Sequence, residues 1–249
     1  MFLIPESSWE IKDTKDHGRG IFATDEIPAG TVIGDYIGRV IRPQEEDQVE
    51  KGAHFYLMYY HDYASIYPDL KKPGIHLINH SCTPNVWMYT YHGHTLYFAL
   101  RRIFRGEQIT VSYQLSPMDK NCAPCTHTCT CGAALCFQTM HLSERRYKEW
   151  DAFQTIQEDR TPRERIRFGE ILPPLTSYPK SIPDNSIYIL FGAKQELSIK
   201  LMDKKVLSKT EIRKIIRDTG RTIQFYRLDL KIHGVFEDLL ISESKKSNP

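Results

Sequence analysis

Short apolar runs separated by turn residues dominate the first half of this chain. Residues 20–23 and 32–41 are bounded by glycines and are rich in β-branched and aromatic side chains, a pattern typical of strands. The intervening residues 28–31, Pro-Ala-Gly-Thr, carry a turn signal. The pattern therefore predicts short antiparallel strands joined by tight turns in this region.

A second group of strands is predicted further along the chain. Residues 86–91 and 94–99 flank His92-Gly93 and predict a β-hairpin, because glycine supplies the positive φ that a tight turn needs. Another strand is predicted at 108–113, after the turn at Arg105-Gly106. No helix of crossover length alternates with these strands, which argues against a doubly wound parallel sheet and favours a β-rich α+β fold.

The pattern changes after Cys136, where helical signals begin. Capping-box sequences begin at Thr161 and Ser208, and each precedes a segment of helical character. Residues 187–191 and 197–201 could form a second hairpin. We therefore interpret residues 143–249 as an extension of mixed, helix-containing structure.

Composition narrows the range of functions. The 249 residues include 41% hydrophobic residues, enough for a substantial core, and Lys and Arg (33) nearly balance Asp and Glu (31). A net charge of +2 gives no broad basic field, so we expect no direct contact with nucleic acid. The first residues are too soon broken by Pro5 and Glu6 for a secretory segment, and no run is long enough to cross a bilayer. We expect a cytoplasmic or nuclear protein with no membrane partner.

The cysteines are concentrated in one segment. Five of the six fall between Cys122 and Cys136, and Cys82 lies upstream. In a chain without an export signal, such crowding favours metal thiolates over disulfides. A small disulfide-bonded loop is the alternative.

Three separated segments carry the strongest functional signal. They are His17-Gly18-Arg19-Gly20-Ile21-Phe22-Ala23, then Asn79-His80-Ser81-Cys82-Thr83-Pro84-Asn85, then Gly106-Glu107-Gln108-Ile109-Thr110-Val111-Ser112-Tyr113. In that order they resemble the signature of the SET-domain methyltransferases, which transfer a methyl group from S-adenosylmethionine to a protein lysine. Cys129-Thr130-Cys131-Gly132-(x)3-Cys136 follows where that family often carries a post-SET zinc segment. A dinucleotide-binding turn is excluded at Gly18, because no third glycine follows and no helix begins at Ile21.

The resemblance implies a fold and a domain organisation. We expect a SET domain at 8–116, a post-SET-like zinc segment at 117–142 and the extension at 143–249. Short antiparallel sheets should be joined by a pseudoknot that brings the Asn79 segment beside the Tyr113 strand, an exception to the usual avoidance of threaded chains.

The resemblance also assigns residues to the cofactor. Backbone amides of the glycine turn would approach the methionine carboxylate of S-adenosylmethionine, a task suited to residues without Cβ. The Asn-His pair would hold the cofactor partly through main-chain groups, and an aromatic residue would line the pocket. The cofactor-binding residues expected on this basis are Gly18, Arg19, Gly20, Tyr56, Asn79 and His80.

Tyr113 is the expected catalytic residue. Methyl transfer needs a neutral amine, and holding a lysine of pKa near 10.4 unprotonated at pH 7 costs roughly 4 to 5 kcal/mol. A narrow, dry channel lowers that cost, and Tyr113 would align the reacting atoms there by hydrogen bonding. Val111 stands where the family often has an aromatic residue that limits the number of methyl groups, so product multiplicity stays open.

The expected metal is zinc, held by four thiolates. The resemblance supplies the set Cys82, Cys129, Cys131 and Cys136. Cys122 and Cys125 also have metal-like spacing and could replace two of these ligands in a local site. Metal removal should abolish activity while leaving the β core folded.

The sequence therefore predicts a monomeric protein-lysine N-methyltransferase acting on a protein or peptide. The substrate could be a histone or a non-histone protein. The rival from another class is a zinc-stabilised SET-fold interaction module without catalytic activity. A third possibility is methylation of a small molecule or of a nitrogen other than that of lysine.

Overall fold

The structure is a computed structural model, and it describes residues 1–15, 18–49, 56–61, 64–82, 84–100, 102–119, 122, 125–132, 136–144, 147–148 and 168–181. The hairpin predicted at 187–201 and the helices predicted from Thr161 and Ser208 lie outside these residues. At the start of the predicted extension, the Tyr147 amide donates to the Ser143 carbonyl oxygen at 2.9 Å, as in one turn of helix.

Strands make up most of the regular structure. One short helix, α1, and two 3₁₀ turns, at Glu6–Ser8 and Ile75–Leu77, accompany them in the described part of the chain. The elements are β1 (Trp9–Thr14), β2 (Gly18–Ala23), β3 (Val32–Asp35), β4 (Arg39–Ile41), α1 (Pro43–Val49), β5 (Met58–His61), β6 (Ala64–Tyr67), β7 (Asn79–His80), β8 (Val86–Tyr91), β9 (His94–Ala99) and β10 (Thr110–Val111).

The strands form four small sheets. Two are three-stranded, with orders β3-β9-β8 and β4-β6-β5, and all their neighbours are antiparallel. β1 and β2 form an antiparallel pair, whereas β7 and β10 form a parallel pair. The hairpin predicted at 86–91 and 94–99 is confirmed, and Tyr91 lies opposite His94 beside its turn. Small antiparallel sheets with little helix are the predicted fold class.

Two predicted strands were too long. Residues 32–41 are divided between β3 and β4, which belong to different sheets, because the chain changes partner at the close approach of Gly38 to Tyr67. A Cβ at Gly38 would lie 2.3 Å from the Tyr67 carbonyl oxygen. Likewise only 110–111 of the predicted strand at 108–113 pair with β7, since the Ile109 amide donates instead to Ile21 at 2.8 Å.

The core lies between these sheets. Ile21, Ile33, Ile66 and Phe98 are fully buried. A residue of this size contributes about 1.5–3 kcal/mol when it is buried completely. The core therefore fixes β2, the strand that carries the glycine turn, against the body of the protein.

A segment of the predicted extension packs on the same body. The Val32 amide donates to Lys180 at 3.0 Å and the Leu172 amide donates to Gly38 at 2.8 Å, so residues 168–181 add to the edges of β3 and β4. The Tyr178 hydroxyl donates to the Asp35 carboxylate at 2.7 Å, and His94 contacts the same oxygen at 2.7 Å. The domain boundary at 143 stays a prediction. Across the described residues, no helix combines the length and the apolar character that a membrane span requires.

Candidate functional site

A parallel strand pair brings the predicted site segments together. β7 lies beside β10 with Asn79 opposite Thr110 and His80 opposite Val111. The Ser81 amide continues the pairing by donating to the Val111 carbonyl oxygen at 2.9 Å. Two segments about 30 residues apart therefore lie side by side at this parallel pair, which we call the crossing, and the resemblance implied that they would meet.

Asn85 holds this crossing in place. Its side-chain Nδ2 donates to the Gln108 carbonyl oxygen at 2.8 Å, and its Oδ1 accepts from the Thr110 amide at 2.9 Å. The side chain is buried, so both hydrogen bonds are shielded from water. Asn85 closes the second sequence motif, and no role was predicted for it. An asparagine can match one backbone donor and one acceptor, which is the signal that could have identified it.

The glycine turn forms a tight cradle beside Asn79. Gly18 has a φ of 64°, and a Cβ at Gly20 would lie 2.6 Å from Gln108 Nε2 and 2.8 Å from Asn79 Nδ2. The Asn79 side-chain Nδ2 donates to the Arg19 carbonyl oxygen at 3.1 Å, so a hydrogen bond joins the two motifs directly. Gln108 Nε2 is buried and has no hydrogen-bond partner in the described structure.

These features fit a polar ligand at the cradle. A buried amide donor without a partner is costly, so a ligand acceptor placed there would recover that cost. Glycine at position 20 lets the side-chain amides of Gln108 and Asn79 pack against the backbone, which places both amides in the cradle. The structure places Gly18, Arg19, Gly20, Asn79 and His80 in neighbouring positions, which suits their predicted roles in cofactor binding.

Tyr113 follows β10 and lies against β7. Its amide donates to His80 Nδ1 at 3.1 Å and its hydroxyl donates to the Ile78 carbonyl oxygen at 3.3 Å. Burial, with the Tyr56 phenol nearby as a second cause, raises the pKa of Tyr113 to about 12. The phenol is therefore neutral across the physiological range. The chain turns sharply after it, since Gln114 has a φ of 53° in the left-handed region.

Four cysteine sulfurs converge beside the same crossing. The Sγ atoms of Cys82, Cys129, Cys131 and Cys136 all lie within 4.8 Å of one another, and those of Cys82 and Cys129 are 3.6 Å apart. A tetrahedral zinc–thiolate site with bonds of about 2.3 Å has sulfur–sulfur edges of roughly 3.8 Å. The predicted set of four thiols therefore has the donor chemistry and spacing for zinc.

The surroundings of this cluster also suit thiolates. The Phe137 amide donates to Cys82 Sγ at 3.4 Å and the Gln138 amide donates to Cys136 Sγ at 3.3 Å. Hydrogen bonds with the Cys131 and Cys82 thiols, together with burial, raise the pKa of Cys129 in the metal-free cluster. A divalent cation reverses this effect, because it binds the deprotonated sulfur.

The region that contains the cradle and Tyr113 is similar to a known domain family. Residues 18–114 match the SET domain family. This part of the chain is a SET domain. The relatives include Histone-lysine N-methyltransferase 2B of Homo sapiens, which is 36% identical over 130 residues, covering 48% of this chain and 5% of that protein.

Other relatives carry related names. Histone-lysine N-methyltransferase trithorax of Drosophila virilis is 33% identical over 129 residues, covering 48% of this chain and 3% of that protein. Histone-lysine N-methyltransferase, H3 lysine-36 specific, of Mycosarcoma maydis is 30% identical over 143 residues, covering 53% of this chain and 14% of that protein. The chain therefore spans a small part of the length of these relatives.

His80 connects the cysteine cluster to Tyr113 within the SET domain. Because its Nδ1 accepts from the Tyr113 amide, the proton of a neutral ring lies on Nε2, which faces Cys82 Sγ at 3.5 Å. The ring also packs against Tyr113, with centroids 5.3 Å apart. Sequence reasoning assigned His80 to the cofactor through its main chain, and the structure adds this side-chain bridge.

Tyr56 lies at the edge of the same group. Its carbonyl oxygen accepts from the Tyr36 hydroxyl at 2.5 Å, and its ring meets His76 edge to face at 5.6 Å. It is close enough to Tyr113 to affect the pKa of that phenol. Tyr56 is half-buried and lies beside Tyr113. Its role in lining the cofactor pocket stays a prediction.

Cys122 and Cys125 do not join the four-cysteine cluster. They lie with His127 and His141 in a second group whose ligand atoms are all within 4.8 Å of one another. The sequence reasoning missed both histidines. The spacing Cys-x2-Cys-x-His was the available signal for His127, whereas His141 is 14 residues further on and is brought in by the fold.

Proposed function

We propose that this protein is an S-adenosylmethionine-dependent protein-lysine N-methyltransferase. The observation that carries the proposal is the parallel pairing of β7 with β10, because it brings the Asn79-His80 pair beside the chain that leads to Tyr113, whose amide donates to His80. The SET domain and the names of its relatives support the reaction class.

The cofactor would lie in the cradle formed by Gly18, Arg19, Gly20, Asn79 and His80, with Tyr56 at its edge. When bound, S-adenosylmethionine supplies a methyl group activated by a sulfonium. The buried Gln108 side-chain amide, which packs against Gly20, offers a hydrogen-bond donor for an acceptor of the cofactor. The Asn79 side chain keeps the cradle in shape through its hydrogen bond to Arg19.

Tyr113 would act on the incoming lysine. Its hydroxyl proton is directed at the Ile78 carbonyl oxygen, so the lone pairs of the phenol remain available to accept from the substrate amine. The apolar surroundings that raise the pKa of the phenol also disfavour an ammonium ion, which reduces the cost of roughly 4 to 5 kcal/mol for a neutral amine at pH 7. Tyr113 thereby orients the amine for attack.

Zinc would be held by Cys82, Cys129, Cys131 and Cys136. Its role is structural, since all four positions of a tetrahedral ion are filled by protein sulfur. The ion would fix residues 129–132 and 136–137 beside the residues that follow β7. The Phe137 amide donates a hydrogen bond to Cys82 Sγ there. This segment would then form one wall of the lysine channel.

The wider assignments belong to the same proposal. Residues 8–116, 117–142 and 143–249 would be the SET domain, the zinc segment and an extension of mixed structure. The substrate would be a lysine of a histone or of another protein, and histone lysines are the targets that the relatives' names give. We propose a monomer that acts in the nucleus or cytoplasm and binds no nucleic acid directly.

Calorimetric titration with S-adenosylmethionine, followed by labelled methyl transfer to histones and to a cell-protein library, tests the proposal. We expect cofactor binding and a modified lysine located by mass spectrometry. Cofactor binding without transfer to any lysine protein would favour the inactive interaction module. Transfer to free amino acids or to histidine peptides would instead show a different nitrogen acceptor.

A further inference from the structure

The second Cys/His group lies outside the proposed active site and has ligand geometry of its own. Cys122 Sγ is 3.2 Å from His127 Nδ1 and 3.3 Å from His141 Nε2. Cys125 Sγ is 3.8 Å and 3.4 Å from the same two nitrogens. Each sulfur therefore faces both nitrogens. The two nitrogens are 3.1 Å apart.

These separations match a tetrahedral zinc ion. With Zn–S near 2.3 Å and Zn–N near 2.0–2.1 Å, the edges of a tetrahedron are roughly 3.5 Å between sulfur and nitrogen and roughly 3.4 Å between two nitrogens. The four sulfur–nitrogen distances scatter around the first value, and the nitrogen–nitrogen distance lies slightly below the second. Two thiols and two imidazoles form a common structural zinc set.

A hydrogen bond outside the group orients one of its ligands. His141 Nδ1 lies 2.6 Å from the Ser116 carbonyl oxygen, which can only accept, so Nδ1 carries the proton. The lone pair of a neutral His141 ring is then on Nε2, the atom that faces both sulfurs. Metal-bound histidines are oriented in this way by a backbone carbonyl, which fixes the tautomer and the ring.

We propose that Cys122, Cys125, His127 and His141 bind a second zinc ion, separate from the four-cysteine site. Binding would release the protons of the two thiols, and the metal would be coordinated by two thiolates and two neutral imidazoles. A disulfide between Cys122 and Cys125 is the competing state, and it would leave both histidines without a shared ligand.

The position of this second site suggests what it stabilises. His127 and His141 lie at one end of a short hairpin, where the Met140 amide donates to the His127 carbonyl oxygen at 3.0 Å. Cys129 and Cys136 lie toward its other end, beside the first site. The Leu142 amide also donates to Leu115 at 2.9 Å, two residues after Tyr113. The second ion would therefore tie the hairpin to the chain that leaves the proposed active site.

Metal content of the full chain tests the proposal without reference to methylation. Protein produced with zinc and kept reduced should contain two zinc ions per chain by atomic emission. Cys122→Ser and Cys136→Ser should each contain one, because each removes a ligand of a different site. The matched control is His92→Asn, which alters an exposed turn histidine outside both groups and should retain two.

Cobalt substitution keeps the test decisive if a serine variant fails to fold. In Co²⁺-loaded wild-type protein, the charge-transfer absorption should correspond to six thiolate ligands, four from the first site and two from the second. Cys125→His preserves four ligands, so it should still hold two metal ions while that absorption falls toward five thiolates. A single ion per wild-type chain in excess zinc, two ions in Cys122→Ser, or a Cys122–Cys125 disulfide in reduced protein would each overturn the proposal.

Discussion

Replacement of Tyr113 by phenylalanine separates catalysis from stability. The ring keeps its packing against His80, and the change removes one hydrogen bond from the hydroxyl to the Ile78 carbonyl oxygen. At 3.3 Å that bond is longer than the usual O–H···O distance of about 2.7–2.8 Å. Its loss should cost no more than about 1 kcal/mol, which lowers the melting temperature by roughly 2–4 °C in a protein of this size.

The effect on catalysis should be much larger. Without the phenol oxygen, the lysine amine loses the acceptor that orients it, and removing one such preorganised group commonly reduces kcat by about 10²–10³. The assay is the initial rate of labelled methyl transfer at saturating cofactor, alongside calorimetric cofactor affinity. The affinity should change little, because the cradle at Gly20 and Asn79 is left intact.

Tyr178→Phe is the matched control. It also deletes one phenol oxygen, but this hydroxyl donates to the buried Asp35 carboxylate at 2.7 Å and accepts from the Leu175 amide at 2.9 Å. A hydrogen bond to a charged group contributes about 1.5–3 kcal/mol, so this variant should lose more stability than Tyr113→Phe and yet keep its rate. Tyr113 does not orient the amine if Tyr113→Phe retains a rate within about threefold of the wild type, or if Tyr178→Phe loses as much rate.

Further predictions concern the cradle, the zinc and two titrating groups. Gly20→Ala should weaken cofactor binding at least about tenfold by calorimetry, because its Cβ displaces the side-chain amides of Gln108 and Asn79, and an unchanged affinity would contradict a cofactor at this cradle. Chelation of zinc should abolish methyl transfer while the far-ultraviolet circular dichroism of the strands stays native, and a parallel loss of both signals would contradict a separate β core. Burial lowers the pKa of His76 to about 4, so the unfolded chain alone binds its proton between about pH 6.5 and 4. The free energy of unfolding should therefore fall by about 1–2 kcal/mol as the pH drops through that window, a value reduced because His76 is partly exposed. Urea titrations of His76→Gln should show a weaker dependence of this free energy on pH. Because the Tyr113 phenol has a pKa of about 12, rates should rise from pH 7 to 9.5 with the deprotonating lysine, and a fall near pH 9 in stable enzyme would contradict that value.

Local sequence patterns were sufficient for one hairpin, whose turn and strands both carry clear signals. The hairpin of β8 and β9 depends on its own turn and alternation, and it was predicted with the observed bounds. β1 was not predicted, since its residues Trp9–Thr14 carry three charged side chains and no strong apolar run. It is a strand because it pairs along its whole length with β2, and that partner could not be inferred from residues 9–14 alone.

The residues of the candidate site were likewise only partly predictable from local sequence. Motif residues such as Asn79 and Tyr113 were identifiable because the resemblance to the family fixes their order along the chain. Gln108 and Asn85 were not, because their importance arises from contacts across the crossing between segments about 20 residues apart. His141 was missed for the same reason, since it reaches Cys122 over 19 residues through the hairpin.

The zinc segment has too little apolar surface to hold Tyr113 in position by packing. Among the described residues of 117–142, Cys129 alone is buried, so the hydrophobic contribution that stabilises the sheets is missing there. Zinc bound at the two proposed sites would supply an alternative to packing on both sides of the tyrosine. On one side Cys82 contacts His80, which accepts from the Tyr113 amide, and on the other His141 contacts Ser116 just beyond it. Loss of the first ion should therefore disturb Tyr113 through His80, whereas loss of the second should disturb it through the following backbone. Nitrogen-15 NMR shifts of the Tyr113 amide in Cys136→Ser and Cys122→Ser should consequently differ from each other as well as from those of the wild type.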